Sequence, residues 1–159
     1  MRLPGRRLVP PPCYALLVGA LIWAICHYAP AIPRLGAPWV LPGWTLVAFG
    51  VALDLVAMIS FLRRGTTVDP IRPARARQLV VSGVYRYSRN PMYLGLALSL
   101  TGWTVLVSSP LCLPIVIGFV KLIDFVQIDA EEAALSARFG AAYASYRAEV
   151  NRWWGRRGV

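Results

Sequence analysis

The sequence predicts an all-α integral membrane protein. The expected architecture is a bundle of four transmembrane helices, with a tight hairpin between spans three and four and a C-terminal amphipathic helix at the interface. Three observations predict it. Hydrophobic residues make up 57% of the chain and charged residues only 15%. No charged residue occurs between Arg89 and Lys121. The arginines gather in blocks that alternate with apolar runs.

The elements follow in order. A helix needs about 20 apolar residues to cross the hydrocarbon of a bilayer. Residues 13–32 meet that need, with His27 the one ionisable side chain besides Cys and Tyr. Arg2, Arg6 and Arg7 precede this run as a signal-peptide leader would. The run is long for a signal core, and Tyr28-Ala29-Pro30 is a poor cleavage context, so a retained span is expected. Residues 41–62 form the second run, broken only by Asp54. The uncharged stretch after Arg89 is too long for one comfortable span. Ser108-Ser109-Pro110 divides it, because proline lacks a donor and bends or ends helices. Two shorter spans are expected, over 91–107 and 111–126. A single domain over 1–159 is expected.

Charge distribution sets the orientation and excludes some functions. A net charge of +10 is compatible with a nucleic-acid partner by value. Its placement is not. Arg63, Arg64, Arg72, Arg75, Arg77, Arg86 and Arg89 crowd the segment 63–90, with Asp69 as its only acid. Further arginines stand at the front and after residue 137, while the segment between the first two runs holds only Arg34. This is the positive-inside pattern of a four-span protein with both termini cytoplasmic. Anionic lipids, not nucleic acid, are the partners such arginines suit. The bacterial inner membrane is the expected location. Cys13, Cys26 and Cys112 lack metal-site or disulfide-framework spacing, and one histidine makes a metal centre an unfavourable reading.

Four spans bring the loop 63–90 and the tail after about residue 127 to one side. The loop breaks its apolar pieces with Gly, Pro and Ser, so it is ordered without being one helix. Asn90-Pro91 reads as a helix start, with Asn as N-cap and Pro in the first turn. Unsatisfied amides there favour an anion such as a carboxylate. Leu135, Phe139, Tyr143, Tyr146 and Val150 recur at three- and four-residue intervals, one face of a helix over about 129–150. With its arginines this suits a membrane surface, and Trp153 and Trp154 suit the headgroup level.

Each singled-out residue also has a plain reading. Glu131-Glu132 suits a helix start, where the dipole favours acids. Tyr85, Tyr87 and Tyr93 suit interface aromatics. Asp54 is expected to pair with Lys121 or to hydrogen-bond inside the bundle, since a buried charge is costly. Lys121 and Asp124, three apart, are an alternative pair.

Together the motifs resemble the isoprenylcysteine carboxyl methyltransferase family and its bacterial relatives among small membrane methyltransferases. The residues that carry the resemblance are Gly65-Thr66-Thr67, the run from Leu79 to Tyr85, and Arg89-Asn90-Pro91-Met92-Tyr93-Leu94-Gly95. The tail adds Glu131-Glu132, Leu135, Phe139-Gly140, Tyr143, Tyr146 and Val150. The match runs over roughly residues 60–153. It implies methyl transfer from S-adenosyl-L-methionine, with S-adenosyl-L-homocysteine as product, to an acceptor that arrives from the lipid. It implies cofactor contacts at Arg77, Gln78, Leu79, Val80, Tyr85, Asn90, Pro91, Met92, Tyr93 and Glu131. Gln127 falls at the substrate position, where the eukaryotic pattern has an arginine assigned to the substrate carboxylate. A neutral amide is a weak carboxylate partner, which sets carboxyl methylation of a prenylated cysteine apart from methyl transfer as such. Asn90 stands where the prenylcysteine enzymes usually have His. Glu132, Asp129 or a tyrosinate are the helpers available if the acceptor must lose a proton. Phospholipid N-methylation and small-thiol S-methylation are the other enzymatic readings. A membrane assembly factor or carrier is the non-enzymatic one.

Overall fold

The computed structural model describes residues 9–28, 35–63, 78–107 and 110–157. Arg77, the Gly65-Thr66-Thr67 motif and the Ser108-Ser109 pair lie outside the described residues.

Among the described residues the regular elements are helical, apart from one isolated bridge between Val150 and Arg156. Helix α1 spans Pro11–Tyr28, and α2 spans Val40–Leu62 behind a 3-10 turn at Ala37–Trp39. A 3-10 turn at Gly83–Arg86 leads to α3, Pro91–Leu106. Another, at Pro110–Cys112, leads to α4, Leu113–Ile123. A π-helical turn at Asp124–Ile128 then runs without interruption into α5, Asp129–Glu149.

Among the described residues, two helical stretches are long and apolar enough to cross a membrane, Pro11–Tyr28 and Ala37–Leu62. At 1.5 Å per residue they reach about 27 and 39 Å. Helix α3 is a shorter apolar helix of 16 residues, about 24 Å long. The outer surface of the long helices is apolar: Leu16 is 74% and Leu41 76% exposed. Side chains of that kind belong against lipid rather than water.

The tightest packing is between α2 and α3, and it is backbone against backbone. A Cβ added at Gly50 would lie 2.5 Å from the Gly95 carbonyl oxygen and 2.8 Å from the Ser99 nitrogen. One added at Gly102 would lie 2.6 Å from the Gly43 carbonyl oxygen. Small residues of this kind let apolar helices approach where water supplies no hydrophobic drive. Ile22 and Cys26 of α1 pack with Tyr93, Ala97 and Leu100 of α3 and with Val116, Phe119 and Ile123 of α4. The buried Cys26 and Cys112 are free thiols with sulfurs 3.5 Å apart.

Helix α5 bends at Gly140, whose φ of 49° and ψ of −121° are non-helical. This region favours glycine because a Cβ is strained there. Its second half turns Tyr143, Tyr146 and Val150 inward, where they pack with Leu79, Leu135 and Phe139. The predicted apolar face therefore covers the loop. The tail hooks back as well: Asn151 accepts from the Arg89 amide at 3.1 Å, and the Gly155 amide donates to Tyr87 at 2.7 Å.

Three expectations are corrected. Asp54 makes no ion pair among the described residues, and Lys121 is exposed. Asp124 does not pair with Lys121; it takes Arg152 at 3.3 Å and the Trp153 indole at 3.3 Å. Trp153 is thereby drawn against the core, while Trp154 remains 61% exposed and stacks on Tyr87.

Candidate active site

Where α3 begins, the loop, α2 and α5 enclose a cavity of about 460 Å³. Gln78, Leu79, Val80, Tyr85, Asn90, Pro91, Met92, Tyr93 and Glu131 all line it. Thus every described residue that the motifs single out for a cofactor faces one space. Gln127 stands behind the wall, fully buried, and reaches it through Glu131.

Helix geometry explains this convergence. Pro91 opens α3 with its fixed φ, and Asn90 occupies the N-cap position. The Asn90 side chain makes no capping bond, contrary to expectation. It donates instead to the Arg152 carbonyl at 3.1 Å, tying the tail to the helix start. The first amides of α3 are therefore left without a side-chain cap. Such a terminus carries partial positive charge and accepts an anion.

Glu131 is gripped from two sides. The Tyr93 hydroxyl donates to Oε1, and Gln127 Nε2 donates to the same oxygen at 3.0 Å. Oε2 has no hydrogen bond among the described residues. The π-helical turn puts Gln127 and Glu131 on one side of a continuous helix, four residues apart. Burial pushes the Glu131 carboxyl up to about 7, against the pull of its two donors; the Glu132 charge adds to the rise.

Glu132 is committed to arginine. Arg89 Nη2 lies 3.1 Å from Oε1, and Arg152 Nη2 lies 2.8 Å from Oε2. Arg89 is only 6% exposed, and its Nε and Nη1 have no partner among the described residues. Arg152 also holds Asp129 at 2.9 Å. Neither Glu132 nor Asp129 is thus a free base. Burial pushes the Tyr85 hydroxyl well above its ordinary value and Tyr143 up to about 12; Tyr146 rises for the same cause. These hydroxyls stay protonated at neutral pH, so none is a tyrosinate. Tyr146 spends its proton on the Tyr85 carbonyl, at 2.7 Å.

Several further cavity residues are not among the cofactor contacts that the resemblance implies. Tyr143 and Tyr146 line it, as do Arg89, Glu132, Asp54 and Phe61. The aromatic periodicity of α5 marks the tyrosines, although it says nothing of which partner they cover. The Arg152 contribution has no motif signal, because an arginine in a basic tail looks like any other.

The sequence profile of the phospholipid methyltransferase family matches residues 39–142, most of the chain and all of α2, α3 and α4. The Arabidopsis thaliana protein-S-isoprenylcysteine O-methyltransferase B is 32% identical over 146 residues, 86% of this chain and 71% of that protein. The Xenopus laevis protein-S-isoprenylcysteine O-methyltransferase is 31% identical over 111 residues, 68% of this chain. This chain spans only 38% of the Xenopus protein's length. An uncharacterized Haemophilus influenzae protein is 40% identical over 62 residues, 39% of this chain and 98% of that protein. No solved structure matches the chain. With the apolar helices and their enclosed site, these matches define the class: a membrane methyltransferase that resembles the isoprenylcysteine enzymes. The chain belongs to the phospholipid methyltransferase family.

Proposed function

We propose that the cavity binds S-adenosyl-L-methionine and that the protein methylates a lipophilic acceptor reaching it from the bilayer. One observation carries the reading: nine residues singled out by motif line a single space, with Glu131 in its wall and apolar side chains around it. A cavity of about 460 Å³ lies within the range of cofactor sites.

The donor set fits the group. The uncapped start of α3 and the excess charge of Arg89 suit its carboxylate. Glu131 Oε2 suits its ammonium or a ribose hydroxyl. Leu79 and Val80 suit the adenine, and the tyrosine rings suit a sulfonium. Arg77, the tenth contact that the resemblance implies, lies outside the described residues. When bound, S-adenosyl-L-methionine supplies an electrophilic methyl and leaves as S-adenosyl-L-homocysteine. The chain's own part is to orient the partners and exclude water.

The topology that suits this role has four crossings: α1, α2, α3, and α4 continued through the π-helical turn. Both termini and the arginine loop are cytoplasmic by the positive-inside rule. Contact of Tyr93 and Arg89 with the Glu131-Glu132 pair supports the return of the chain to one side. A bacterial inner membrane suits such a protein. The lipid-type acceptor favours phospholipid N-methylation as the second enzymatic reading over small-thiol methylation. A carrier or assembly factor would have no use for the gripped carboxylate.

Calorimetric titration of the purified protein with S-adenosyl-L-homocysteine tests this. Binding is expected, and Glu131→Gln should weaken it about tenfold to a hundredfold, the scale of a hydrogen bond to a charged group. The pH dependence has a definite sign. Above about 7 Glu131 is ionised and accepts from the ligand; below, it carries a proton. Affinity should therefore fall as pH drops from 8 to 6, approaching tenfold per unit at the acid end. The Glu131→Gln protein should lack that slope. A flat wild-type profile removes Glu131 from the site, and no binding at either pH ends the methyltransferase reading.

A further inference from the structure

Three carboxylates line the cavity: Glu131, Glu132 and Asp54. Glu131 is held by Tyr93 and Gln127, and Glu132 by arginines. Asp54 has neither kind of partner among the described residues. It is the only charged residue of α2, in a helix whose other side chains are almost all apolar. A carboxylate in such a setting is costly and calls for a function.

Its placement is built rather than incidental. Asp54 Oδ1 is buried with no hydrogen bond. It lies against Gly95 of α3, where any Cβ would collide with it. Glycine at 95 thus makes the room that the carboxylate occupies. Gly95 is one helical turn beyond Pro91, about 6 Å deeper along α3 than the uncapped start. The carboxylate therefore faces the cavity from a different helix and a different depth than the groups suited to the cofactor. Leu55 and Met58, its neighbours on α2, also line the cavity and are 49% and 37% exposed. The space next to Asp54 is walled by apolar side chains that a lipid-borne acceptor suits.

We propose that Asp54 is the acceptor-binding residue of this site, and that it selects an acceptor with an amine. This rests on the methyltransferase reading above. A carboxylate without a cationic partner holds an ammonium and repels a carboxylate acceptor, whose natural partner would have to be the neutral, buried Gln127. Asp54 also supplies a base that neither the arginine-held Glu132 nor a tyrosine hydroxyl in the wall provides. The ammonium proton passes to the Asp54 carboxylate. The freed nitrogen lone pair forms the N–C bond as the methyl–sulfur bond breaks and its electron pair returns to sulfur. A methylated ammonium and a protonated Asp54 result, and charge is conserved.

The test separates acceptor from cofactor. Protein reconstituted in phosphatidylcholine nanodiscs is titrated with dodecylamine and with dodecanoic acid. Saturable binding of the amine is expected, weakened about tenfold or more in Asp54→Asn, the scale of one charge-assisted contact; the acid should show none. In vesicles containing phosphatidylethanolamine, label from S-adenosyl-L-methionine should enter the amine lipid. Asp54→Asn should slow that transfer about a hundredfold or more, the scale of a lost general base. S-adenosyl-L-homocysteine affinity should stay within about twofold, because Asp54 is not in the cofactor set. Unchanged amine binding and transfer in Asp54→Asn overturn the proposal. So does label entering the base-labile ester of N-acetyl-S-farnesylcysteine in place of the amine, while leaving methyl transfer intact. Failure of the wild type to bind S-adenosyl-L-homocysteine removes both readings.

Discussion

Glu132→Ala should destabilise the protein by about 3–5 kcal/mol, the cost of removing one partner of a buried ion pair. The asymmetry lies in what remains. Arg152 keeps Asp124 and Asp129 after the change. Arg89 keeps no carboxylate among the described residues, where two of its guanidinium nitrogens already lack a partner. Its charge would be buried and uncompensated. Replacing both residues, as Arg89→Met with Glu132→Leu, should restore much of the loss, because the apolar pair has no charge to desolvate. Chemical unfolding in detergent reads both effects. The same carboxylate links the loop, α5 and the tail, so the single variant should also lose S-adenosyl-L-homocysteine binding. A Glu132→Ala protein within about 1 kcal/mol of wild type would show that the pair is not a structural keystone.

The cavity was legible in the sequence because its residues come as contiguous strings. Asn90-Pro91-Met92-Tyr93 starts a helix, and Glu131-Glu132 sits in the first turn of the tail helix. Period and punctuation suffice to bring them together. The apolar helices were legible for the same reason, with helix starts within a few residues of the apolar boundaries. What pairs with what was less legible. Asp54 and Lys121 are charges of opposite sign in two apolar runs, which suggests a pair. Helix rotation decides otherwise: Asp54 turns toward Gly95, and Lys121 turns outward. Rotation is set by side-chain packing across three helices, which no local pattern encodes. Asn90 has the right type and position for a cap, yet its amide is used by the Arg152 carbonyl, a residue more than sixty positions away. The uninterrupted join of α4 to α5 was also hidden, since a π-helical turn has no residue signature of its own.

The α2–α3 contact has a sequence signature of its own: glycines seven apart on both partners, Gly43 and Gly50 on α2 and Gly95 and Gly102 on α3. Seven residues make close to two helical turns, so each pair falls on one face. Gly50→Leu should therefore cost about 3 kcal/mol or more, at the upper end for overpacking, because backbone rather than a movable side chain blocks the new Cβ. The helices would have to separate, carrying Asp54 away from Gly95 and opening the cavity wall. Unfolding in detergent should report the loss, and dodecylamine binding should fall with it. Gly118→Ala on α4 is the matched control. A Cβ there meets nothing within 4 Å, so the change should be neutral or stabilising by up to about 1 kcal/mol through helix propensity. If both variants unfold like wild type, α2 and α3 are not locked by backbone contact. The room that Gly95 makes for the carboxylate would then be slack in the bundle, not a built feature.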